Sequence, residues 1–412
     1  MNESKRIKFY YSIVDERAGK RELPLLSVSA RYGVVRRDSI VDGPSRAEEF
    51  SNYKVCRAGD IVLNRMSAYQ GAVGRSSEVG IVSPDYLVMR PSGEVESRYL
   101  HHLFRSKWFV GEMSSRLRGI GSSDNGGVRT PRINPDDLGD IPIVLPAIEE
   151  QRRIAEFLDA ETARIDLLAS SMSESINLLQ DKRRALLMSV FPDHGCGNVR
   201  LGYYLDLVTS GPRGWGDYVG SKGTPFFRSA NLRRDSIEPN LEALALADAP
   251  PSASAEAARS RVRAGDVLIG ITGANAGWVS LVDQRIAQAN VSQHVCLVRP
   301  GKAIEGRWLA YALSAPQVQE LLLGSQYGGT KTQLSLGDIR NLVVPLPSIG
   351  EQQRLVADIN DGLTAITAES TFRDRQLALL AERCQALITA AVTGQIDVTT
   401  ARRLSSPGGA SL

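Results

Sequence analysis

Polar side chains suited to contacts with DNA are gathered in a few loops of this 412-residue chain. Arginine, asparagine and glutamine can make paired hydrogen bonds with the edges of guanine or adenine, whereas lysine, threonine and glycine-rich backbone suit phosphates. Any one of these residues could equally belong to a solvated turn, so the prediction of a DNA-reading surface depends on the set. The candidates are Asn64, Arg65, Tyr69, Gln70, Arg116, Arg118, Asn125, Arg129 and Arg132 in the first half, and Thr272, Asn275, Trp278, Gln293, Gln326, Tyr327, Thr330, Lys331 and Gln333 in the second.

The sequence carries no motif typical of a catalytic site. It lacks the GxxxxGK phosphate loop, the FxGxG cofactor loop and the Asn-Pro-Pro-aromatic tetrapeptide of amino-methylating enzymes. Its histidines have no metal-binding spacing, and no Glu-x-Lys pattern follows the aspartates at 136, 137 and 140. We therefore expect a protein with no catalytic residue, no metal site and no bound cofactor of its own.

The predicted strands and helices that would position these loops occur twice in the chain, as an internal repeat. The segment 57–60 (RAGD), followed by an apolar run, recurs at 263–266, and residues 154–190 align without a gap with residues 355–391. The predicted strands and helices, which we call the frame, match between the two copies, whereas the loop residues differ. Two recognition specificities carried on one duplicated scaffold would produce this pattern.

Each copy begins with short strand-like runs punctuated by glycine and proline, and continues into a long heptad helix. We predict an α+β fold of two β-rich recognition modules with pseudo-two-fold symmetry, separated by two long helices that form an antiparallel coiled coil. The predicted domains are 1–146 (first module), 147–192 (central spacer helix), 193–347 (second module), 348–394 (C-terminal spacer helix) and 395–412 (disordered tail). The predicted seam is Leu158, Ile165, Met172, Leu179 and Leu186, with Ile359, Ile366, Leu377, Leu380 and Leu387.

The composition of the chain restricts which classes of protein it could belong to. A hydrophobic content of 42% supports packed cores, and a net charge of only +3 indicates that partner subunits would supply much of the charge needed to bind DNA. Four cysteines without a CxxC spacing are expected to be free thiols in a reducing cytoplasm. The N-terminus lacks the apolar core of a signal peptide and no stretch reaches the length of a membrane span, so we expect a cytoplasmic protein.

Two motifs, each present twice, carry a resemblance to a known family. Residues 141–146 (IPIVLP) precede 150–153 (EQRR), residues 343–347 (VVPLP) precede 351–354 (EQQR), and each pair leads into a long helix. This combination resembles the specificity subunit of type I restriction–modification systems over residues 6–394.

The resemblance extends to segment 328–334 (GGTKTQL), while the first copy departs from it at 126–133 (GGVRTPRI). It implies that each module reads one half of a bipartite double-stranded DNA target and that the helices set the spacing between the halves. Two methyltransferase subunits would bind S-adenosylmethionine and methylate adenine. Restriction subunits, acting as translocase and nuclease, would use ATP and Mg²⁺. The chain itself would be a non-catalytic reader.

Two other functions stay open at this point. A two-headed protein-binding scaffold would share the duplicated frame, and failure to bind DNA even with partner subunits would favour it. A self-contained DNA-modifying enzyme would need a catalytic motif that the sequence lacks, and DNA cleavage or methylation by the purified chain alone would support it.

Overall fold

The chain folds into two compact units, each of which joins a β-rich module to segments of two long helices. Unit 1 is Met1–Met172 with Arg375–Leu412, and unit 2 is Ser173–Asp374. The division falls inside each long helix, because each module packs against one end of each helix. The computed structural model describes residues 3–30, 32–40, 49–117, 131–191, 196–324 and 333–398.

Unit 1 contains an antiparallel four-stranded sheet, three separate strand pairs and short helices. Its strands are β1 (Lys5–Arg6), β2 (Tyr11–Val14), β3 (Leu26–Ser29), β4 (Gly33–Arg36), β5 (Lys54–Cys56), β6 (Ile61–Leu63), β7 (Val73–Arg75), β8 (Gly80–Val82), β9 (Leu87–Pro91) and β10 (Pro142–Ile143). Its helices are α1 (Ser97–Arg105), α2 (Lys107–Ser114) and α3 (Pro135–Gly139), and then α4 (Ile148–Met188) begins. The sheet has the order β2-β9-β6-β7, and β1 pairs with β10.

Unit 2 repeats the main four-stranded sheet and the strand pair that precedes it, and it adds a second four-stranded sheet with one parallel pairing. Its strands are β11 (Asn198–Arg200), β12 (Leu205–Ser210), β13 (Val219–Gly220), β14 (Thr224–Phe227), β15 (Ala245–Ala247), β16 (Val267–Gly270), β17 (Val279–Leu281), β18 (Asn290–Val291), β19 (Val295–Pro300) and β20 (Val343–Pro345). Its helices are α5 (Ser254–Ser260), α6 (Gly306–Ser314), α7 (Pro316–Leu323) and α8 (Leu336–Asn341), and then α9 (Ile349–Val392) begins. The main sheet has the order β12-β19-β16-β17, and β11 pairs with β20.

One inner strand of each main sheet, β6 or β16, is apolar throughout because both faces of the sheet are covered. In β6, Ile61 and Leu63 lie in the core formed with α1 and α2, whereas Val62 lies in a second core with β3, β4 and β8. In β16, Ile269 joins the core formed with α6 and α7, and Leu268 joins a separate core with β14. The apolar run that follows each RAGD segment in the sequence is therefore β6 in unit 1 and β16 in unit 2.

The two long helices run antiparallel within each unit. In unit 1 the beginning of α4, at Leu158, shares a core with the end of α9, at Ile388. In unit 2 the end of α4, at Leu187, shares a core with the beginning of α9, at Ile359. Together with the two sheet-rich modules, these helices confirm the predicted fold class.

The heptad positions are buried most deeply where the helices meet the modules. Leu158, Ile165 and Ile359 are buried. The other predicted seam residues are half-buried, namely Met172, Leu179, Leu186, Ile366, Leu377, Leu380 and Leu387. Leu186 lies so close to Gly362 that a Cβ at residue 362 would approach its Cδ2 to 2.5 Å. A glycine at 362 therefore allows close contact between the helices in unit 2.

One sequence expectation needs correction. The tail does not leave the fold at residue 395, because Val398 is 4% exposed in the core of unit 1 and Ile396 packs against that core. Residues 399–412 lie outside the described residues. Helices α1 and α2 are separate because Ser106 ends the first and its Oγ accepts the Phe109 N–H (3.2 Å) to begin the second. In the described residues, the structure contains no helix with the length and apolar character needed to cross a membrane.

Candidate nucleic-acid interface

The repeated RAGD segment lies directly before β6 in unit 1 and β16 in unit 2, and it anchors each strand. The Asp60 carboxylate accepts two hydrogen bonds from Arg90 (both 2.9 Å) and one from the backbone N–H three residues earlier (2.8 Å). Asp266 makes the same set with Arg299 (2.8 and 2.7 Å) and its own turn (2.7 Å). Both aspartates are 2% exposed. The strongest repeat in the sequence is therefore a structural anchor that fixes where the following loop leaves the sheet.

In unit 1 that loop is joined to residues 131–134 by Arg65. The Arg65 guanidinium donates to the Ile133 carbonyl (2.9 Å) and to the Asn134 side-chain oxygen (3.3 Å). The Arg65 carbonyl in turn accepts the Ile133 N–H (3.2 Å). Burial, and secondly the charge of Arg132, lowers the pKa of Arg65 from its ordinary value. Arg65 thus positions this edge, and Arg132 is exposed on it.

Tyr69 and Gln70 lie on the short 3-10 helix that follows the same strand end. Tyr69 is 45% exposed, and the Gln70 side-chain amide donates to its hydroxyl (3.0 Å). Gly71 ends this turn with φ of +75°, a conformation that glycine adopts readily. The turn therefore presents two of the predicted DNA-binding side chains to solvent as a pair.

The equivalent edge of unit 2 is a neutral polar network. The Leu334 N–H donates to the Ile271 carbonyl (2.8 Å), which brings Gln333 beside Thr272. The Thr272 hydroxyl lies 2.7 Å from Nδ1 of His294, and Nε2 of that ring lies 3.0 Å from the Gln293 amide nitrogen. Because an amide nitrogen can only donate, Nε2 of His294 accepts and its Nδ1–H donates to the hydroxyl.

Four further predicted DNA-binding residues contact groups within their own unit. The Asn64 side chain accepts the Met66 N–H (3.2 Å), and the Asn275 side chain donates to the Ser229 carbonyl (2.8 Å). Arg116 is paired with Glu112 one helical turn away (2.6 Å). Trp278 is half-buried against a core of unit 2. These side chains hold turns or helices, and direct DNA contact by them stays a prediction.

The remaining candidates fall in two segments that lie outside the described residues, 118–130 and 325–332. The first begins just after α2 and ends at the edge held by Arg65, and the second begins just after α7 and ends beside Thr272. The candidates within them are Arg118, Asn125, Arg129, Gln326, Tyr327, Thr330 and Lys331.

A buried glutamine joins each module to a long helix, and the sequence analysis did not assign it this role. Gln151 accepts the Glu96 N–H (3.0 Å) and donates to the Pro146 (2.9 Å) and Glu94 (3.4 Å) carbonyls. Gln352 makes the same three bonds in unit 2. The available signal was the Glu-Gln-x-Arg motif, which occurs at the start of both helices. The glutamine fixes the helix start against the amino end of α1 or α6.

A second module-to-helix contact has the same position but a different chemistry in each unit. In unit 1, Nε2 of His102 lies 2.8 Å from the Asp159 carboxylate. In unit 2, the Tyr311 hydroxyl donates to the Asn360 side-chain oxygen (3.1 Å). The contact therefore has the same position in both units, while a histidine–carboxylate pair forms it only in unit 1.

Acidification below about pH 6.5 is expected to destabilise unit 1 through His101. Its Nδ1 accepts the Arg75 N–H (3.0 Å), and burial, together with His102 and Arg105, lowers its pKa well below 6.5. Below that pH the unfolded chain binds a proton at His101 that the folded chain does not bind, so the free energy of unfolding falls by up to about 1.4 kcal/mol per pH unit. Urea unfolding from pH 7.5 to 5.5 checks this, with His101→Gln as the control that reduces the slope. An identical slope in that variant would contradict the assignment.

These features define a class of protein: a two-module recognition chain with one conserved frame and two different polar edges. A family model described as the type I restriction modification DNA specificity domain matches residues 25–177 and 250–373, so the chain belongs to that family. The two matched stretches follow the internal repeat.

Similar proteins support the same family. The specificity subunit of the type I restriction enzyme EcoBI from Escherichia coli is 22% identical over 423 residues, covering 90% of this chain and 88% of that protein. A solved chain from a type I R-M system assembly has a TM-score of 0.71 at 20% identity, covering 96% of this chain and 98% of its own. The HsdS subunit from Thermoanaerobacter tengcongensis has a TM-score of 0.51 at 21% identity, covering 96% and 97%. At these identities the structures show a shared fold.

Proposed function

We propose that this chain is the DNA specificity subunit of a type I restriction–modification complex and reads a bipartite target with its two modules. The observation that carries the proposal is that the two units share one arrangement of strands and helices but present different polar residues at the corresponding edges of their main sheets. Unit 1 presents Arg132 beside Arg65, whereas unit 2 presents Thr272, Gln333 and the His294 network. Arginine suits guanine and phosphate, and neutral donors and acceptors suit other base edges, so the two modules would read different half-sites.

The chain is a non-catalytic subunit in this proposal, and partner subunits supply the chemistry. Two methyltransferase subunits would bind S-adenosylmethionine and methylate adenine, and restriction subunits would use ATP and Mg²⁺. The net charge of +3 supports shared DNA binding, because a chain that neutralised many phosphates alone would carry more positive charge. The complex would act on DNA in the cytoplasm.

The long helices would set the number of unread base pairs between the half-sites. We assign residues 1–146 and 193–347 to reading, and residues 147–192 and 348–394 to spacing. Support comes from α4 and α9, which are continuous over Ile148–Met188 and Ile349–Val392 and align without a gap. A continuous helix extends about 1.5 Å per residue and resists compression, which makes it suitable as a spacer.

Mapping methylated bases across the genome, with and without this chain, tests the proposal. Removal of the chain is expected to abolish methylation at one asymmetric bipartite motif, with a fixed number of unread base pairs between its halves. If no motif changes, the chain does not direct methylation. A gap of variable length would contradict the spacer role alone. Absence of DNA binding with all partner subunits present would instead favour a protein-binding scaffold.

A further inference from the structure

Unit 1 contains a cleft of about 360 Å³ between the 3-10 helix at residues 68–70 and helix α2. Among the described residues that line it, Arg105 and Lys107 are cationic and none is acidic. Tyr69 and Gln70 contribute a hydroxyl and an amide on the other side. A cleft with two cations, neutral donors and no carboxylate suits an anion.

The cations are held in place by contacts within unit 1. Arg105 donates from Nη2 to the Ala30 carbonyl (3.1 Å), and burial lowers its pKa. Lys107 is exposed, while its backbone N–H donates to the Thr389 hydroxyl (3.1 Å) and fixes its main chain at the start of α2. The Tyr69 hydroxyl accepts from Gln70, so its O–H can donate into the cleft.

The equivalent place in unit 2 lacks both cations and is filled. Ser314, Pro316 and Gln319 stand where Arg105, Lys107 and Val110 stand in unit 1. The Gln319 amide donates to the Gly277 carbonyl (2.8 Å), and its side-chain oxygen occupies the space beside that glycine. In unit 1 the corresponding Gly71 faces a methyl group of Val110, which leaves the space open.

We propose that this cleft binds a phosphate group of the DNA backbone at the half-site read by unit 1, and that unit 2 has no such site. The inference rests on the proposed function. The cleft adjoins the predicted reading edge, because Tyr69 and Gln70 lie within the loop that begins at Asn64 and Arg65. A phosphate contact there fixes the register of unit 1 on the duplex without reading sequence.

The test measures equilibrium binding of the complete methyltransferase complex to a duplex carrying the methylated motif, from 50 to 200 mM KCl. Each lost phosphate contact reduces the slope of log K against log salt by about 0.9, which is about eightfold in affinity at 0.1 M salt. Lys107→Gln is expected to show this loss. Val110→Gln, which copies the filled cleft of unit 2, is expected to weaken binding while keeping both cations.

The matched control is Lys302→Gln, an exposed lysine beyond the end of β19 opposite the Gln293–His294 edge, which should leave the slope unchanged. Wild-type slopes in both Lys107→Gln and Val110→Gln, with specific binding intact, would overturn the inference. A wild-type complex that binds every duplex equally would instead overturn the proposed function, and the slope difference on random duplex would still test the cleft. Inorganic phosphate that raises the melting temperature of wild type but not of Lys107→Gln, combined with unchanged DNA slopes, would assign the cleft to free phosphate and refute the DNA contact.

Discussion

Replacing Gln352 by methionine is expected to lower the free energy of unfolding by about 3–5 kcal/mol. Gln352 is fully buried, and it accepts the Glu305 N–H (2.8 Å) and donates to the Ala303 and Pro347 carbonyls (both 2.9 Å). Methionine preserves the volume of the side chain but leaves three backbone groups without a partner. Each such buried group costs about 1–3 kcal/mol, which is large against a typical total stability of about 5–15 kcal/mol.

Urea unfolding of the variant measures this loss, and the chain offers a neighbouring control. Gln353 is exposed on the same helix turn, so Gln353→Met should change stability by less than about 0.5 kcal/mol. Gln151→Met in unit 1 should resemble Gln352→Met, because Gln151 makes the corresponding three bonds. Equal, small losses for Gln352→Met and Gln353→Met would show that the glutamine does not hold the helix to the module.

The second large effect is expected at the buried Asp–Arg anchor of unit 2. Asp266→Ala should cost about 3–5 kcal/mol, because it leaves Arg299 and a backbone N–H without their acceptor in a buried site. The Arg299 side chain is only 16% exposed, whereas Arg90, the corresponding residue in unit 1, is 41% exposed. Water can therefore solvate Arg90 after Asp60→Ala, and we expect that variant to lose only about 2 kcal/mol.

Thermal and urea unfolding of Asp60→Ala and Asp266→Ala in parallel test the difference. Asp181→Ala, at an exposed position on α4, serves as the control for loss of an acidic charge. A larger loss for Asp60→Ala than for Asp266→Ala would contradict the role assigned to burial of the arginine. A double-mutant cycle with Arg299→Met measures the coupling within the pair directly.

The structure separates conserved supports from divergent recognition surfaces. Gln151 and Gln352 make matching contacts in the two units, as do Asp60 and Asp266. The residues that differ include those at the strand-end edges, those in the cleft beside Tyr69, and the His102–Asp159 and Tyr311–Asn360 pairs. A change in target sequence would therefore alter loop residues while the supports stay constant, because each support is buried and fully hydrogen-bonded.

Much of the frame was predictable from local spacing. The heptads of α4 and α9 and the apolar runs of β6 and β16 each depend on neighbouring residues along the chain, so their pattern is visible in the sequence. Gly394, just after α9, has φ of +72°, a conformation typical of the glycine that ends a helix. The motif Glu-Gln-x-Arg was visible too, but its arginine forms an exposed pair with glutamate while its glutamine makes the buried contacts.

The sequence by itself determined the duplication, the family resemblance and the alternation of β-rich modules with long helices, because these follow from residue spacing within short stretches. The tertiary structure decided which side chains act together. Arg65 meets Ile133 across 68 residues, and Gln151 meets Glu96 across 55 residues. Lys107 and Tyr69 are far apart in the sequence but line the same cleft. Long-range packing creates these groupings, since a hydrogen bond or a charged cleft depends on distance in space and not on separation along the chain.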